Sequence, residues 1–127
     1  MDLVERMMTP HEYREERFAP FREPPFTGDA FDAESLVASN VHHVVVLDLA
    51  GAFEGPGVEE LSKRIDGLRD RGEGIFVVNL SAVTKVDSMG LGELVRSFVR
   101  VSRGGGKLAL VNPPQHFRQL VESMKFL

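Results

Sequence analysis

The chain has 127 residues, 43% of them hydrophobic, and a formal net charge of -4, which gives room for one domain with a real core. The acidic balance argues against nucleic-acid binding, which needs concentrated positive charge, and no run approaches the roughly 18 apolar residues that span a bilayer. The absence of cysteine excludes a disulfide framework, thiol catalysis and a cysteine metal site, and it suits a cytoplasmic protein. No basic segment followed by an apolar stretch predicts export.

Residues 1–30 differ from the rest. They hold Pro10, Pro20, Pro24 and Pro25 of the seven prolines, among the mixed charges Glu12, Arg14, Glu15, Glu16 and Arg17. A short helix from Pro10 to Phe18 is predicted, with Thr9 as its cap and proline at the first position. Tyr13, Phe18, Phe21 and Phe26 are unusual for a solvated tail and suit docking to the domain or to a second copy. The composition as a whole predicts a mostly mobile arm. Residues 31–40 read as a weak strand or turn leading into the domain proper, residues 31–127.

His42 to Leu49 is rich in β-branched residues and predicts a strand. Side chains alternate along a strand, so His42 and His43 point to opposite faces and do not chelate one metal. Neither a metal nor a cofactor is expected. Gly51 to Gly57 is a loop by its glycine and proline punctuation. A helix follows, with Val58, Leu61, Ile65 and Leu68 on one face, ending at Gly72 or Gly74. Ile75, Phe76, Val77, Val78 and Leu80 are too continuously apolar for a half-exposed strand, which predicts a buried parallel one.

After Val83 and Val86 comes Asp87-Ser88-Met89-Gly90-Leu91-Gly92, and the apolar period then changes. Leu91, Leu94, Val95, Phe98 and Val99 mark one face of a helix. Gly104 to Gly106 closes it, Lys107 to Val111 is a further strand, and Asn112-Pro113-Pro114 opens a last helix carrying Phe117, Leu120, Val121 and Met124 inward. Strands alternating with helices imply right-handed crossovers. The expected fold is a single α/β domain, with a mixed, mostly parallel sheet of about four strands and helices packed mainly on one face.

Familiar enzyme chemistries fit poorly. Gly104 to Lys107 lacks both ends of a phosphate loop and precedes a strand instead of a helix. Gly90-Leu91-Gly92 begins a dinucleotide fingerprint and misses it at Val95. A hydrolase elbow needs glycine where Val86 stands, two residues before Ser88. An acyl-transfer triad would have to recruit His116 and Glu93, and Asp87 with Glu54 is a carboxylate pair without a pocket. Ser88 itself sits where a strand feeds a helix. It reads as the N-cap, beside unpaired backbone N–H groups and the positive dipole end, where phosphate is well accommodated.

Val77 to Arg103, with Leu47-Asp48-Leu49-Ala50-Gly51 before it and Gly105 to Pro113 after it, resembles a STAS domain of the anti-sigma factor antagonist type over residues 41–127. Asp87-Ser88-x-Gly90-Leu91-Gly92 is its most specific element. The resemblance implies a non-enzymatic switch. Ser88 would be phosphorylated by a partner that is both a GHKL-type serine kinase and an anti-sigma factor, and a serine phosphatase would restore it. Partner contact is expected from Asp87, Met89, Gly90, Leu91, Gly92, Glu93 and Arg96, with Ser97 and Arg100 on the same helix, and from Phe53 and Glu54 in the loop. The sequence departs from the family where aspartate usually stands at Asn79 and Glu54 and a small residue at Met89; many relatives also continue past the position of Leu127. A scaffold or transport accessory subunit with Ser88 as a mere cap, and a small enzyme using Ser88 as nucleophile, stay open. So does a homodimer formed through the arm.

Overall fold

The computed structural model describes residues 1–27 and 32–124. Its central strands are β3 (Val44–Phe53), β4 (Ile75–Val86) and β5 (Lys107–Val111), which run parallel. At one edge β1 (Asp2–Met8) pairs antiparallel with β3, and at the other β2 (Pro20–Phe21) pairs antiparallel with β5. The order is β1-β3-β4-β5-β2, five strands where the sequence predicted about four.

Helices α3 (Glu59–Asp70), α4 (Ser88–Arg103) and α5 (Gln115–Met124) cover one face. Their Leu61, Ile65, Leu94, Val101 and Phe117 pack with Val45, Leu47, Phe76, Val78 and Leu110 of the sheet. The opposite face carries Met8, Val44, Val46, Val77 and Val111, buried under Tyr13 and Leu36. Two short helices, α1 (Pro10–Glu16) and α2 (Ala33–Ala38), supply that cover. Burial on both faces is why β3 and β4 read as continuous apolar runs.

Residues 1–27 are therefore no mobile arm: they supply both edge strands and α1. The predicted α1 cap is present. Thr9 accepts from the Glu12 N–H at 3.1 Å, and Glu12 Oε1 accepts from the Thr9 N–H at 3.0 Å. Ordering a residue costs about 1–2 kcal/mol, and burying Phe21 and Phe26 returns only about 1.5–3 kcal/mol each. The pairing of Asp2–Met8 with Ala50–Val44 adds a run of backbone hydrogen bonds to that burial. Arg6 fixes that pairing: Nε donates to Asp48 Oδ2 at 2.6 Å and Nη2 to Oδ1 at 3.1 Å. These partners lie 42 residues apart, outside the reach of local composition.

Residues 33–38 form α2, capped by Asp32, whose Oδ1 accepts from the Ser35 N–H at 2.7 Å. No strand forms at 32–41, and Phe31 lies outside the described residues. The register of β3 on β4 is irregular between Asp48 and Ala50 and again between Gly51 and Ala52, with Gly51 at φ 84°. Beyond Ala50 and Asn79 neither β1 nor β5 continues, so β3 and β4 run on as a two-stranded ribbon to Phe53 and Val86. The ribbon carries the 53–57 loop and Asp87 to the carboxyl ends of the parallel strands, where open α/β sheets place their binding sites.

Candidate protein-binding site

Asp87, one residue before the serine, is the N-cap of α4. Its Oδ1 accepts from the Gly90 N–H at 2.8 Å, and its Oδ2 accepts from the Gly55 N–H at 3.1 Å. The single carboxylate thus caps the helix and ties it to the loop from β3. The Gly90 N–H, and after it the Gly55 N–H, hold the Asp87 carboxyl below its usual range against the opposing effect of desolvation. Ser88 is accordingly the first helical residue, a correction to its reading as the cap. A carboxylate bonding two N–H groups leaves no capping role for the hydroxyl. Ser88 is exposed, and its side chain has no hydrogen-bond partner among the described residues.

The remaining predicted residues divide sharply. Met89 is 52% exposed, Arg96 is exposed, and Gly92 and Glu54 are partly so. Phe53 is buried in the core and presents no side chain to a partner in the way the sequence implied, and Leu91 is buried too, reaching the surface only where it lines a groove beside Ser88. Gly90 is buried because a Cβ there would run into the Phe53 carbonyl oxygen. Glu54 faces Lys85 at 3.4 Å.

Glu93 and Ser97, expected on the outer face of α4, are 1% and 2% exposed. Arg96 Nη1 donates to Glu93 Oε2 at 2.9 Å, while Glu93 Oε1 and Ser97 Oγ have no partner among the described residues. Arg100, on the same stripe, reaches Asp66 of α3 at 2.8 Å. That side of the helix thus faces α3, while Val95, Phe98 and Val99 are only half-buried. Helix-on-helix packing rotates α4 away from the orientation its apolar period predicts.

A groove of about 500 Å3 opens beside Ser88, between α4 and α5. Leu91, Gly92 and Val95 form one wall, Val121 and Met124 another, and Pro24 and Pro25 a third. Sequence reasoning missed the two prolines. Their only signal was the flanking aromatics, which seat this segment: Phe21 packs edge-on against Phe117 at 5.4 Å, and Phe26 against Phe98 at 5.7 Å.

Asn79 stands apart from this site, on the α1/α2 face. Its Nδ2 donates to Asp48 at 2.8 Å, and its Oδ1 accepts from the Ser81 N–H at 3.1 Å and from Asn112 at 3.2 Å. An aspartate there would set a second carboxylate against Asp48. His116 approaches the Val83 carbonyl at 3.1 Å, and no hydrogen bond joins it to Ser88 among the described residues. Among those residues no group of three or more His, Asp or Glu is placed to hold a metal ion.

A mostly parallel sheet ending in a capped serine turn is the arrangement expected of a STAS domain. Residues 37–126 match the family model described as "Mlab, STAS domain", and the chain belongs to that family. STAS domains are protein-interaction modules. No curated protein matches the chain. A solved structure described as "Crystal Structure Analysis of Mglu" is similar at 26% identity and a TM-score of 0.49, over 54% of this chain; the chain spans 17% of that one. No helix among the described residues is long and apolar enough to cross a membrane.

Proposed function

We propose that this protein is a cytoplasmic, non-enzymatic anti-sigma factor antagonist. With Ser88 unphosphorylated, it binds an anti-sigma factor of the GHKL serine-kinase type and so frees the sigma factor. Phosphorylation of Ser88 by that partner ends the complex, and a serine phosphatase restores it. One observation carries the reading: an exposed serine hydroxyl with no hydrogen-bond partner among the described residues, on the first turn of α4, at the rim of an apolar groove.

Phosphorylation adds about -1.5 to -2 charges at neutral pH. The Gly90 N–H that would receive a phosphate is already taken by Asp87. The new charge therefore meets a carboxylate one residue away and projects outward over the groove. A partner seated there faces repulsion and the desolvation of a dianion, and no change of fold is needed.

The test is capture of partners from the protein's own cells with Ser88→Ala and Ser88→Asp forms. A GHKL-type kinase retained by the alanine form and lost by the aspartate form supports the switch. Identical partners on both forms contradict it.

A STAS scaffold, or an accessory subunit of a signalling or transport complex, is the second reading. The family model's Mlab description favours it, as does the Asp87 cap, which leaves Ser88 no structural need for phosphate. That reading expects stable partners that ignore the state of Ser88.

A further inference from the structure

We infer that β1 pairs antiparallel with β1 of a second copy, about a two-fold axis at Val4, so that two sheets join into one. The inference goes beyond the Ser88 reading and stands apart from it, because it uses an edge of the sheet and not the turn.

The two edges of the sheet are unlike. β2 is two residues long and starts with a proline, which makes a blunt edge. β1 runs seven residues without proline, and its register with β3 is regular from Asp2 to Met8. It is the terminal strand, so no described strand pairs with its outer side. Three of the five exposed large apolar side chains among the described residues lie on it or just before it: Val4 at 57%, Met7 at 46% and Met1 at 39%. Its charges do little to guard the edge. Glu5 is paired with Arg64 at 3.3 Å, and Arg6 with Asp48 and Glu16, across the chain's own sheet faces.

Side-chain matching identifies the occupant as this same strand. A two-fold axis normal to the sheet keeps every side chain on its own face, so it must pass between two copies of one residue. At Val4 it sets Val4 against Val4, Met1 against Met7, Leu3 against Glu5 and Asp2 against Arg6. Each of the three exposed apolar side chains then meets another. An axis at Glu5 or at Arg6 opposes two like charges directly, which is destabilising. One at Leu3 sets Met1 against Glu5 and Asp2 against Val4, and one at Met7 runs the strand into Pro10 of α1. Among these axes the one at Val4 alone matches apolar with apolar and acid with base. The pair is self-limiting, since its outer edges are two blunt β2 strands. The axis also reverses the second sheet, so the two Ser88 turns stand at its opposite ends and give the dimer two equal sites.

The test is sedimentation velocity of the full chain over about 1–300 μM, since seven paired residues make less than a standard interface of roughly 1,200 Å2 and bind weakly. A concentration-dependent dimer is expected, weakened about tenfold or more in Val4→Glu, which opposes two carboxylates at the axis. Val4 is exposed, so this variant keeps its fold, checked by an unchanged thermal midpoint at low concentration. The chain has no cysteine, so a single one reports the register. Val4→Cys, with its two copies about 4.5–5.5 Å apart at Cβ, should form a disulfide-linked dimer under oxidised glutathione. Met7→Cys, about 20 Å from its own copy, should not. A chain that stays monomeric throughout overturns the inference, as does a dimer indifferent to Val4→Glu. So does Met7→Cys cross-linking as readily as Val4→Cys. A monomer whose residues 2–8 gain protection from amide exchange only with another protein bound overturns it too, and gives the edge to a foreign strand. None of these outcomes moves the Ser88 switch, which the capture experiment decides.

Discussion

The N-terminal segment and the Ser88 turn meet at one groove, yet they are built on opposite terms. The turn is set mainly by its neighbours: Asp87 bonds a group three residues on and fixes the start of α4, with one further bond to Gly55 in the loop from β3. The segment is held at long range, by strand pairing between residues 2–8 and 44–50, by an Arg6–Asp48 pair 42 residues apart, and by rings packed on α4 and α5. A structure of local origin can present a modifiable residue without placing the fold at risk. One of distant origin adds walls and cover, and it fails as a unit.

That contrast is broken most severely by removing residues 1–8. The deletion exposes the edge of β3 and uncovers part of the second core, so loss of cooperative unfolding and aggregation are expected by calorimetry and light scattering. A soluble, cooperatively unfolding truncation would show that the segment is decoration. Phe26→Ala comes next. It empties a buried site between Phe98 and Phe117 and should cost about 3 kcal/mol in denaturant unfolding, opening the groove at its proline wall. At the turn, Gly90→Ala places a methyl against the Phe53 carbonyl and should cost about 1–3 kcal/mol. The obstacle is backbone, which yields less readily than a side chain.

Acid sharpens the local half of the comparison. Asp87 titrates below the ordinary carboxylate value of about 3.9 because it accepts from Gly90 and Gly55. Its contribution is thus complete above that value and is lost as pH falls through the lower folded one. Thermal unfolding followed downward from pH 5 should fall less steeply in Asp87→Asn than in the parent. Equal slopes would mean that the carboxylate does not hold the loop. Lys85→Ala, which breaks the exposed pair with Glu54, should move stability by no more than about 0.5 kcal/mol.

What the sequence revealed follows the same division. The three parallel strands, the turn at Asp87 to Gly92 and the Thr9 cap were legible because each is written in neighbouring residues. Residues 1–8 were not, because DLVERMM alternates too weakly to announce an edge strand and its charge partner lies in β3. The 33–38 helix was missed because it is a single short run whose cap, Asp32, looks like any turn residue. Within the site, Ser88 and Met89 were placed on the surface correctly. Glu93 and Ser97 were not, since a polar residue buried against a neighbouring helix looks the same in sequence as one facing solvent. The Asp87 and Ser88 roles are adjacent and chemically similar, and only the bonds to Gly55 and Gly90 distinguish them.

The most direct measurement is site-resolved phosphate occupancy at Ser88, by mass spectrometry of the protein isolated from its own cells in growth and in stress. The account predicts a phosphorylated fraction on Ser88 that changes between the two conditions. An unmodified Ser88 in both would contradict it and leave a constitutive STAS scaffold.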